Sequence, residues 1–90
     1  MSLFEAKEVV VENLEALDAK LDFAVTQGMI DENSTYHNEI STLVDDVGLA
    51  QSWEELAEII YRAKILEVDM NTWLSFKGDT TFGLEWPSGI

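Results

Sequence analysis

The chain contains no cysteine, which excludes disulfides and thiolate metal sites and fits a reducing compartment. Positive charge is almost as scarce: 5 Lys plus Arg stand against 18 Asp plus Glu, a formal net charge of -13. A surface this acidic is repelled by nucleic-acid phosphates and by anionic lipid headgroups, so neither direct nucleic-acid binding nor membrane binding is expected. No apolar run approaches the roughly 18 residues of a membrane span, and the N-terminus lacks the basic and apolar regions of a signal peptide. The expected location is cytoplasmic. The five glycines are isolated at predicted helix ends, a turn and the tail, which excludes a glycine-rich phosphate loop. A single histidine, His37, preceded three residues earlier by Ser34, excludes the Glu-x-x-His pairs of a di-iron bundle.

What is present is apolar and acidic at once. Hydrophobic residues make up 47% of the chain and aromatics 10%, too many for a disordered acidic tail, so residues 1–90 are read as one globular domain. The net charge lies well beyond the magnitude of about 2 to 8 that solubility asks of a small domain. Excess charge costs stability through self-repulsion, which suggests that it serves a purpose.

Apolar spacing predicts a first helix over about 3–27, started by a capping box of Ser2 and Glu5 and stopped in Schellman fashion by Gly28 and Met29. Leu3, Val10, Leu14, Leu17, Leu21 and Ala24 form its buried stripe. A second helix is expected over about 32–47, with Tyr36, Ile40, Leu43, Val44 and Val47 inward and Gly48 as its stop. A third follows over about 53–66, capped by Ser52 and Glu55. It turns Trp53, Leu56, Ala57, Ile59, Ile60, Ala63 and Leu66 inward. Beyond Leu66 the period changes, because Glu67 would fall on the buried side of a continued helix while Leu66, Val68, Met70, Leu74 and Phe76 alternate. This pattern predicts a C-terminal β-hairpin, strands about 72–77 and 81–86, turning at Gly78, Asp79 and Thr80 and closed by Pro87. The expected fold is therefore α+β. The alternative is an all-α four-helix bundle, its short fourth helix running from Asp69 to Lys77.

Six carboxylates, Glu5, Glu8, Glu12, Glu15, Asp18 and Asp22, recur at helical spacing and fall within an arc of roughly 140° on the first helix. They span about 26 Å, one charge every 4 to 5 Å or so, against about 3.4 Å per phosphate along one strand of B-form DNA. Asp45, Asp46, Glu54, Glu55 and Glu58 would supply a second acidic line if they shared its side. Such a run is commonly a solvated face, and the unusual total charge is what makes it a candidate surface for a basic partner. Val9, Ala16 and Phe23 form a flanking apolar line, read as a homodimer interface. Trp73 is the candidate exposed aromatic anchor.

The site chemistries fail one by one. The segment from Asp31 begins like a calcium loop but has Tyr36 where glycine is required and Thr42 where the bidentate glutamate should stand. His37 has Ser41 and Asp45 nearby, yet Asp45 would neighbour Ser41 rather than sit behind the imidazole as a triad needs. No catalytic, cofactor or metal residue is expected. Three helices and a hairpin follow the winged-helix order, but the third helix sets only Arg62 and Lys64 against Glu54, Glu55 and Glu58, which opposes DNA binding. The reading is a non-enzymatic acidic module that binds a basic protein surface, an inhibitor or nucleic-acid mimic by class. Its alternative is an assembly subunit forming an obligate homo-oligomer through the first helix.

Overall fold

The computed structural model describes residues 1–28, 35–76 and 83–87, without the side chains of 73–76. Ser2 and Glu5 form the expected capping box: Ser2 Oγ accepts from the Glu5 backbone N–H at 3.1 Å, and Glu5 Oε1 accepts from the Ser2 N–H at 3.5 Å. From this cap α1 runs over Leu3–Thr26. At its end the Gln27 N–H donates to Phe23 O at 2.9 Å and the Gly28 N–H to Val25 O at 3.0 Å. Gly28 takes φ +71, a left-handed conformation that a side chain would strain, so the predicted glycine stop holds. Met29 lies outside the described residues.

The second helix, α2, runs over Tyr36–Leu49; its expected start near 32 falls outside the described residues. Gly48 does not stop it but lies in its last turn. No basic residue occupies that turn, and the cation comes from α1 instead. Lys7 Nζ donates to Ala50 O at 2.9 Å and to Gly48 O at 3.4 Å, which satisfies terminal carbonyls and opposes the helix dipole.

The third helix, α3, corrects the expected fold class. It begins as expected, with Ser52 Oγ accepting from the Glu55 N–H at 3.2 Å, but it spans Trp53–Phe76 rather than ending near 66. Residues 72–76, assigned to a strand, are helical. Residues 83–87 belong to no ladder, and no strand occurs among the described residues. The proposed turn at 78–80 and Phe82 lie outside them. The four-helix alternative fails too, since 69–76 continue α3 without a break. Among the described residues the fold is a small all-helical domain of three helices.

Glu67 explains the error. Its half-buried position on α3 looked like a break in the helical period, but its carboxylate has partners from the C-terminal segment. Glu67 Oε2 accepts from the Leu84 backbone N–H at 3.2 Å and from Trp86 Nε1 at 3.3 Å. Burial of a charge is tolerable when donors replace its water. The same segment reaches α1, where Asn13 Nδ2 donates to Glu85 O at 2.7 Å, and Leu84 and Trp86 pack against the core.

The core follows the predicted stripes. Val10, Leu14, Leu17, Leu21 and Ala24 are buried on α1, Ile40, Leu43 and Val47 on α2, and Leu56, Ile59, Ile60, Ala63 and Leu66 on α3, with Met70 extending the last row. Leu3, Tyr36, Val44 and Trp53 are half-buried at its edge. Ala57, expected inside, is exposed, and Ala6, not expected, is buried. No helix is long and apolar enough to cross a membrane among the described residues. At 24 residues each, α1 and α3 are both about 36 Å long, which matches the longest dimension of 38 Å.

Candidate functional site

The helical backbone of α1 places the six carboxylates about 160° round from the centre of the buried row, and burial agrees: Glu5, Glu8, Glu12, Glu15 and Asp22 are exposed and Asp18 is half-buried. They divide into three groups by what they touch. Glu5 is held by the N-terminal cap. Asp18 and Asp22, at the C-terminal half, both meet His37 of α2: Nδ1 lies 2.9 Å from Asp18 Oδ1 and Nε2 lies 3.3 Å from Asp22 Oδ1. Glu8, Glu12 and Glu15 make no hydrogen bond or ion pair among the described residues. These three are the part of the stripe open to a partner.

The second acidic set is split: Asp45 lies beside Glu15 and Asp18 in the groove between α1 and α2, whereas Asp46, Glu54, Glu55 and Glu58 do not extend that face. Glu55 Oε2 accepts from the Gln51 N–H at 2.7 Å, and Glu55 and Glu58 line a groove between α2 and α3 with Asp46, Leu49, Ile59 and Arg62. Arg62 donates to Asp46 Oδ2 at 2.7 Å across that groove. Asp46 and His37 are nine residues apart, about 180° round α2, so α2 stands between the α1 stripe and the groove that holds Glu55 and Glu58. Glu54 is exposed on the outer side of α3.

The surplus apolar surface also differs from expectation. Of the predicted interface, Val9 is half-buried, Ala16 exposed, and Phe23 46% exposed with Lys20 Nζ 5.1 Å from its ring centroid. α3 matches α1 in length, so α1 has no overhanging end for a second copy to cover. A larger apolar row lies on α3, where Tyr61, Ile65 and Val68 are 66%, 47% and 61% exposed and point about 170° away from its buried row. Sequence reading missed this row because the third helix was expected to end near Leu66 and Val68 was counted in the alternating pattern beyond it. Phe4 is exposed within the acidic band, whereas Val11 packs against the core. The side chain of Trp73 lies outside the described residues.

Convergent polar chemistry is sparse. His37 turns both nitrogens to α1, so no serine–histidine–acid relay is assembled from Ser41 and Asp45. Asp18, Asp22 and His37 form the ligand-bearing cluster found among the described residues, with one candidate atom from each within 4.8 Å of the others. Tyr36, half-buried on α2, has its phenol pKa raised, first by burial and then by the carboxylates of Asp69 and Glu39. Its hydroxyl is thereby kept protonated, the opposite of what a general base requires. Comparison of the chain with protein-family models, with curated proteins and with solved structures finds no match.

Proposed function

We propose that this chain is a non-enzymatic binding protein whose α1 face docks on a basic protein surface. The observation that carries the reading is the row Glu8, Glu12 and Glu15, exposed and without partners among the described residues, in a chain of net charge -13. Such a row raises the encounter rate with a cationic surface and fixes its orientation, while contributing less to the final affinity. Glu5, Asp18 and Asp22 extend the field at either end. The separation of Glu55 and Glu58 from this face favours a single docking helix over a two-stranded imitation of nucleic acid.

Affinity capture from the native host at low and high salt identifies the partner, and stopped-flow association with it then tests the face. The triple reversal Glu8→Lys, Glu12→Lys, Glu15→Lys is expected to slow association by about tenfold or more at low salt. A charge-matched reversal of Glu39, Asp69 and Glu85 is expected to slow it far less. Equal rates for the two variants would show that only total charge matters and that the α1 row is a solvated face.

A second reading, an assembly subunit, is favoured by the Tyr61, Ile65 and Val68 row rather than by Val9, Ala16 and Phe23. Association through apolar area would persist at high salt, where steering by charge fades.

A further inference from the structure

The contact between α1 and α2 at His37 does more than join two helices. Asp18 and Asp22 are one turn apart on α1, and His37 sits in the first turn of α2, so three potential ligands are held on rigid helical backbone. Both ring nitrogens face carboxylate oxygens, at 2.9 and 3.3 Å. A neutral imidazole has one N–H and can donate to only one of them; the other nitrogen sets a lone pair against a carboxylate. Positive charge at the second nitrogen removes that conflict, either as a second ring proton or as a metal ion bound there.

We propose that Asp18, Asp22 and His37 bind a divalent transition metal of the zinc class, through one oxygen from each aspartate and one imidazole nitrogen. The spacing suits it. With ligand bonds near 2.0 to 2.2 Å, a tetrahedral zinc ion needs its ligands roughly 3.4 Å apart, and the three candidate atoms lie within 4.8 Å of one another. The side chains are 43%, 66% and 36% exposed, which leaves them room to close by the ångström or so that the ion requires. Two carboxylates and a neutral imidazole balance the charge of the ion. One nitrogen and two carboxylate groups suit zinc, cobalt or nickel, whereas calcium and magnesium call for shells of six or more ligands, predominantly oxygen.

Asp18 and His37 also border a cavity of about 220 Å³ between the helices, together with Glu15, Ser41 and Asp45. Three protein ligands leave a tetrahedral ion one further position, for water or for a donor group from another molecule. Three protein ligands and one open position distinguish this site from a closed structural zinc site. The site stands independently of the proposed basic partner, although it uses two members of the α1 stripe.

His37 is the only histidine, which gives a direct probe. Zinc chloride titrated into the intact chain is expected to shift the His37 imidazole resonances saturably at one ion per chain and to raise the melting temperature. Cobalt is expected to give visible absorption of tetrahedral type. His37→Gln and Asp18→Asn should each weaken zinc binding by more than about tenfold, while Glu54→Gln, an exposed acid on the outer side of α3, should leave it unchanged. The proposal is overturned if the imidazole resonances do not respond to zinc, if His37→Gln binds zinc as tightly as the parent, or if calcium competes equally, which would mark a diffuse acidic surface.

Discussion

At the scale of single residues, Tyr36 and Glu67 show how a half-buried polar group is settled by its surroundings. The Tyr36 phenol keeps its proton because burial, reinforced by Asp69 and Glu39, disfavours the phenolate. Its folded pKa is therefore above the unfolded value of about 10, and the sign of the linkage follows. The stabilisation is fully present below the unfolded pKa and is lost as pH rises through the folded one. Thermal melts are expected to fall in temperature above pH about 10, and Tyr36→Phe should make that alkaline decline shallower. An identical alkaline limb in the variant would contradict the assignment. Glu67 remains compatible with its position because a backbone N–H and an indole N–H donate to it.

At the scale of elements, α1 and α3 contrast in how readily their sequences can be read. The limits of α1 were legible because every signal is local: Ser2 and Glu5 are three residues apart, Gly28 needs only its own backbone, and the buried stripe repeats without interruption. The second half of α3 was not legible, because the donors that satisfy Glu67 lie 17 and 19 residues further on. Within a short window a carboxylate on the buried side mimics a change of period. Ala57 was misread because it is apolar, although it falls outside the arc of Leu56, Ile59, Ile60 and Ala63. The cluster at His37 was hidden for a related reason: the Asp18 and Asp22 spacing was visible, but only the packing of α2 on α1 shows that His37 joins them. The helical register past residue 66 is testable by a pair of truncations. Met70→Ala, at 3% exposure, should cost about 2 to 5 kcal/mol, whereas Val68→Ala, at 61% exposure although an alternating strand would set it on the same face as Met70, should change stability by no more than about 0.5 kcal/mol. Chemical denaturation of both variants checks this, and comparable losses would contradict the register.

At the scale of the whole molecule, charge and connectivity dominate. Eighteen acids against five Lys and Arg repel one another more strongly in the folded state than in an expanded chain, so added sodium chloride should screen them and raise the melting temperature from its low-salt value. A melting temperature that falls over the same salt range would mean that attractive pairs such as Arg62 with Asp46 outweigh the repulsion. The segment 83–87, fastened to Glu67 and to Asn13, carries a different consequence, one of timing. Its bonds close loops of up to 72 residues, and that closure entropy must be met before the contact offers any return. The three helices can pair before the segment arrives, and it can leave while they stay together. Proton exchange at the Leu84 amide is then governed by a local opening, whereas exchange deep in α1, around Leu14 and Leu17, waits for the helices themselves to part. The indole of Trp86 rides on this clasp and that of Trp53 rests against the bundle, so with Trp73 replaced by Phe the two remaining tryptophans of the three report on two opening events. Their signals separate wherever the clasp lets go first.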